Sequence, residues 1–281
     1  MKTFEVVKRF FAIPFAALAI SYVAACGYWV ATGCRYGVKR CTAVFIAVLP
    51  YALIVSAVLA LILSVIAVQK IKRIRSALDS CRESGADEES VKVLDRELER
   101  CEKDKEYRKL LKASALLSCD AFEKCCEALD SIDFSKLTSA EEEEYFNMLV
   151  YSRLMQGDYT GAVEIYLECG HYFKRALSRF GTEHIRHTVG MIYYTVGEYD
   201  KAIDLFLQAK RSGNKELKCD CDLYLALCYL RTGQLESSRQ AVITASAEVS
   251  SQRQQEELEH LKNAVYAASH GGLTSGGNIW Y

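Results

Sequence analysis

The chain has 281 residues, 51% hydrophobic and 25% charged, with a formal net charge of −1, so it is long enough for one or two domains with a real core. That near neutrality averages two unlike regions: residues 1–70 hold seven Lys/Arg against the single acid Glu5, leaving 28 Lys/Arg against 35 Asp/Glu, about −7, for residues 71–281. An acidic region of this size argues against a nucleic-acid partner. Both prolines, Pro14 and Pro50, fall in the first quarter, and nothing after residue 50 breaks a helix through proline.

Between Arg9 and Arg35 lie 25 residues without formal charge, and between Arg40 and Lys70 lie 29. Roughly 20 helical residues cross the hydrocarbon core of a bilayer, so two spans, about 10–33 and 42–69, are expected to form a membrane hairpin over residues 1–76. The alternative of a buried soluble helix is poor, because LPYALIVSAVLALILSVIAV has no polar stripe. Lys2, Lys8 and Arg9 before the first span and the collar Lys70, Lys72, Arg73 and Arg75 after the second outnumber Arg35, Lys39 and Arg40 between them. The positive-inside rule then puts both termini and the rest of the chain in the cytoplasm, with the collar available to anionic headgroups. The first span also reads as a signal peptide, and Val23-Ala24-Ala25-Cys26-Gly27 as a lipoprotein box with Cys26 lipidated, although the apolar run continues through Tyr28, Trp29 and Val30.

Twelve cysteines occur without paired CxxC motifs, so a zinc ribbon or finger lacks its spacing. Cys34 and Cys41, at the edges of the expected exterior loop, are either a disulfide or two free thiols. The nine from Cys81 to Cys228 read as small buried hydrophobes kept reduced. His184 and His187 share a helix face, but Glu183-His184-Ile185-Arg186-His187 is not HExxH and no third ligand is specified, so no metal is expected.

After Ser84-Gly85-Ala86 a helix is expected to begin near Glu88. Val91, Leu94, Leu98 and Cys101 form one apolar stripe on it, and residues 77–105 read as a charged helical linker, or less readily as a coiled-coil contact. Thr138 and Ser139, each with a Glu three residues on, mark a capping-box start for a helix leading to Met155. A self-similar pattern follows. Gly197-Glu198-Tyr199, Ala202, Phe206 and Ala209 are matched by Gly157-Asp158-Tyr159, Ala162, Tyr166 and Cys169, and by Gly233-Gln234-Leu235, Ser238, Val242 and Ala245. A fainter copy runs through Ala113, Leu116, Phe122, Cys125, Leu129 and Ile132.

This pattern resembles the tetratricopeptide repeat (TPR), a pair of antiparallel helices of about 34 residues. It departs from that repeat in lacking its Trp and closing Pro, and in having Arg153 where Tyr193 stands. The resemblance implies an all-α fold: a TPR-like α-solenoid of about three to four helix pairs over residues 106–269, after the hairpin. The copy spacings of about 36 to 40 imply extended helices or loops, and a generic helical solenoid is the alternative. Small residues at Gly190, Ala226, Ala162, Ala202 and Ser238 would let helix backbones approach, and Gly157, Gly197 and Gly233 would end first helices in the left-handed conformation. Leu258, Leu261 and Val265 suggest a C-terminal capping helix, with 270–281 a flexible tail.

First helices of such arrays line a concave groove for peptides, which implies a partner-binding wall of Tyr107, Asn147, Tyr151, His184, His187, Met191, Tyr194, Leu227 and Arg231, with Leu110, Leu154, Leu223 and Leu230 beside them. The wall suits an apolar or aromatic protein segment and needs no cofactor. The expected function is a non-catalytic, membrane-anchored adaptor or scaffold at the cytoplasmic face. The alternative is an accessory subunit of a transport or secretion complex, whose hairpin does the work and whose repeats dock. The sequence has no GxSxG, no GxxxxGK[ST], no HExxH and no evident acid pair, so an enzyme is not expected.

Overall fold

A computed structural model describes residues 38–270. Every regular element among these described residues is helical, in line with an all-α solenoid. The chain divides into two units, one through Ala77 and one from Leu78 onward.

In the first unit, α1 (Val38–Glu83) begins inside the basic connector and continues through the second expected span. The first expected span and Cys26 lie outside the described residues, as does the Cys34 half of the expected disulfide. Among the described residues no helix is long and apolar enough to cross a membrane, so the hairpin expected from the sequence is not supported. Large apolar side chains of α1 are nevertheless bare, with Tyr51, Leu61 and Ile71 exposed at 71%, 66% and 65%.

Within the second unit α1 ends at Glu83, and Gly85 and Ala86 then take φ of 63° and 56°. Asp87 then caps α2 (Glu88–Cys101) by accepting from the Ser90 amide at 2.8 Å. The apolar stripe of α2 is buried at Leu94 and Leu98, and the helix packs on α3 (Lys105–Leu117), where Lys112 meets Asp95 at 2.7 Å. The segment read as a linker therefore adds buried side chains to this unit.

Four helix hairpins follow: α3 with α4 (Phe122–Asp130), α5 (Ser139–Met155) with α6 (Tyr159–Glu168), α8 (Glu183–Thr195) with α9 (Tyr199–Ala209), and α10 (Lys215–Arg231) with α11 (Leu235–Glu248). Thr138 and Glu141 form the expected capping box of α5. Gly157, Gly197 and Gly233 take φ of 78°, 82° and 76° at the three later turns. In each, the next residue's amide reaches back five residues, as from Asp158 to the Arg153 carbonyl and from Glu198 to that of Tyr193. That is the Schellman closure of a helix end. The first hairpin makes the same turn with Asp120 at φ 55°, and Ala121 bonds back to Leu116.

Equivalent positions of the four hairpins are buried: Ala113, Val150, Gly190 and Ala226 in the first helices and the small residues Cys125, Ala162, Ala202 and Ser238 in the second. At Gly190 the Phe206 ring of α9 sits so close that an added Cβ would lie 2.8 Å from its Cε1. In the last pair Ser238 Oγ donates to the Ala226 carbonyl at 2.8 Å, which satisfies a hydroxyl that would otherwise be buried without a partner. The longer spacing between the second and third copies is filled by an extra helix, α7 (Gly170–Leu177). It buries Phe173 and Ala176 and sets Phe173 against Tyr166 at 5.2 Å between ring centres. The final helix, α12 (Gln252–Ser269), buries Gln254, Leu258, Leu261 and Val265 against α10 and α11.

Candidate partner-binding groove

The shared turn puts equivalent positions of the first helices in register. Asn147 and His187 match one another, as do Tyr151, Met191 and Leu227, each the same number of residues ahead of Gly157, Gly197 or Gly233. Between α5, α8 and α10 lies a groove of about 590 Å³, and α12 supplies its remaining wall through Glu257 and Leu261. Met191, Tyr194, Leu227 and Arg231, all expected wall residues, line it together with Leu154 and Leu223.

The other five expected residues lie elsewhere. Asn147 and His187 are only 5% and 2% exposed, and Asn147 Oδ1 and His187 Nε2 meet no hydrogen-bond partner among the described residues. They belong to the packed interior. Tyr151 packs between Phe122 and His187 at 6.2 and 6.0 Å. His184 faces the preceding pair, its Nε2 being 3.0 Å from both carboxylate oxygens of Glu144. Tyr107, on α3, packs beside the smaller core cluster around Leu110 and Leu129. The physical reason is the same for the buried members: a first helix carries both the inner wall and its contacts with neighbouring helices, and residues four apart share one face.

Burial sets the electrostatics. It holds the His187 imidazole down at about 4, with Asp220 opposing that shift and Arg253 and His184 adding to it. Burial raises the Tyr151 and Tyr194 hydroxyls, the latter against the pull of Arg231. It also raises the Glu257 carboxyl, with Arg253 the main opposing charge. The acidic and basic side chains of the lining are Arg231 and Glu257, and Arg253 contacts the latter at 2.9 Å. Such a surface can hold an apolar or aromatic segment and orient it through few polar groups.

Two contributors were not assigned from sequence. Tyr224 extends the aromatic wall, stacked on Phe206 at 5.3 Å and set against Tyr194 at 5.7 Å. Its place in α10 matches Thr188 in α8, so the repeat pattern marks it as interior. The second is α12, whose heptad-like leucines announce a helix but not the surface it covers. Of the cysteines, Cys81, Cys101, Cys119, Cys125, Cys126, Cys169, Cys219, Cys221 and Cys228 are free thiols. Among the described residues no group of three His, Cys, Asp or Glu side chains could hold a metal ion. The chain matches no family model and no curated protein.

Proposed function

We propose that the chain is a non-catalytic adaptor: a TPR-like solenoid of four helix pairs that binds an apolar or aromatic segment of a partner protein and is held at the cytoplasmic face of a membrane by its N-terminal quarter. One observation carries the binding half of this reading. The first helices of successive pairs bring Met191, Tyr194, Leu223 and Leu227 together around one groove, with Arg231 at its edge. Aromatic and methionine side chains offer large contact areas at modest entropic cost, as protein-binding surfaces do. The membrane half is supported by 29 uncharged residues between Arg40 and Lys70 and by the bare apolar side chains of α1. Confinement to a surface would raise the effective concentration of whatever the groove holds.

The test is a photo-crosslinker placed at Tyr194 of the full chain in cells, with Ile243 as control, a residue of α11 that is 63% exposed. The adaptor reading expects a defined protein captured from Tyr194 and not from Ile243. Capture only from within residues 42–69 would refute it and favour the accessory-subunit alternative.

A further inference from the structure

Three of the four hairpin turns place glycine at the left-handed position, and the first places Asp120 there at φ 55°. An L-residue with a side chain adopts this conformation at a cost that glycine avoids, although Asp tolerates it better than most. The backbone bonds of the Asp120 turn match those of the glycine turns, so the turn itself does not call for a carboxylate. The side chain does something else. Asp120 Oδ1 accepts from Arg253 Nε at 3.2 Å, across 133 residues of sequence.

Arg253 stands in the first turn of α12, and its side chain is 17% exposed. Its Nη2 donates to Asp220 Oδ1 and Oδ2 at 3.0 and 3.1 Å, and its Nη1 to Glu257 Oε1 at 2.9 Å. The Asp220 and Glu257 contacts stay within α10 and α12. So does the Gln254 side chain, which donates to the Glu216 carbonyl and to Asp220. The Asp120 contact instead joins the first hairpin to α12. The bidentate Asp220 contact anchors the guanidinium, and the Asp120 arm is a single bond to a side chain that is 41% exposed, a modest contact.

We propose that Asp120 and Arg253 form a clasp that closes the array on itself and holds α12 across the inner wall. Because Glu257 and Leu261 of α12 form one side of the groove, releasing the clasp widens the entrance to Tyr194 and Leu227. That consequence rests on the groove being the binding surface; the clasp itself does not.

Hydrogen exchange followed by mass spectrometry on the full chain in detergent tests the clasp. Peptides covering 252–269 are compared in wild type, Asp120→Gly, Asp120→Asn, Arg253→Gln and the Asp120→Asn/Arg253→Gln double variant. Asp120→Gly relieves the turn while removing the carboxylate, and Asp120→Asn removes the charge while keeping a residue that tolerates the left-handed conformation. Each Asp120 variant is expected to speed exchange in α12 by up to roughly fivefold, and Arg253→Gln by more because it also loses the Asp220 and Glu257 contacts, with the double variant no faster than the faster single. If α12 in Asp120→Gly exchanges as slowly as in wild type or more slowly, Asp120 is only a turn residue and the clasp is wrong. Additive effects in the double variant would overturn it equally. Should Arg253→Gln fail to fold, the two Asp120 variants decide the question alone. A Tyr194 crosslinker in the same variants separates the two readings: faster exchange with no capture in any variant keeps the clasp and sinks the groove as a binding surface.

Discussion

Gly190 is the position where the close-approach explanation of the repeat meets its sharpest test. A methyl group there would meet three atoms of the Phe206 ring at 2.8, 3.0 and 3.0 Å. Phe206 is fully buried and stacked on Tyr224, so the ring has little room to retreat. Overpacking of this kind costs about 1–3 kcal/mol. Alanine in a helix interior returns about 1 kcal/mol over glycine. The two leave Gly190→Ala destabilised by about 1 kcal/mol, a fall of roughly 2–4 °C in Tm for a unit of this size. Gly170, at the start of α7, is the control, since an added Cβ there meets nothing within 4 Å. Gly170→Ala should be neutral or stabilised by up to about 1 kcal/mol. Thermal melting of the full chain in detergent, followed by helical circular dichroism, measures both. Replacing the ring in Gly190→Ala/Phe206→Leu should make the two changes less than additive. A higher Tm for Gly190→Ala than for wild type would refute the seat of the Phe206 ring against Gly190 as the reason glycine stands there.

Protonation of His187 gives a pH dependence of known sign. Its folded-state value of about 4 lies below the unfolded value of about 6.5, so the unfolded chain takes up the proton first. Stability is complete above pH 6.5 and falls as pH drops toward 4, by on the order of 3 kcal/mol; denaturant titrations at several pH values should show this slope weakened in His187→Leu. Glu143, with a side chain only 1% exposed, holds Arg175 at 2.5 Å and also pairs with Arg179. Glu143→Ala is expected to cost about 1–2 kcal/mol, limited because both arginines are partly solvated, and denaturation midpoints would check it. The Cys125, Cys219 and Cys228 thiols are pushed up to about 12 by burial, so a thiol reagent at neutral pH should leave them unlabelled in folded protein and label them all in denaturant, as counted by intact mass.

Much of the solenoid was legible because its rules are local. Gly157, Gly197 and Gly233 announced three turns through the backbone conformation that only glycine adopts freely. Thr138 with Glu141 announced a helix start, and the recurrence of Ala162, Ala202 and Ser238 announced where backbones meet. The fourth turn was harder to see because Asp120 carries no such signal, although Ala113, Leu116, Cys125 and Leu129 had marked its flanks. The groove was half legible: Met191, Tyr194, Leu227 and Arg231 share one wall, whereas Asn147 and His187 are sealed inside. A single helix face serves both packing and binding, and periodicity does not divide it.

By itself the sequence determined that residues beyond the apolar first quarter form helices, where most of them turn, and which small residues lie at their crossings, because caps, turns and side-chain period act over a few residues. The tertiary structure alone decided that α7 fills the longest interval between repeats, that α2 packs on α3, and that α12 lies along the groove with Arg253 reaching Asp120. Those outcomes depend on contacts between helices far apart in sequence. Such contacts form only when the helices have stacked, and no short stretch of sequence encodes them.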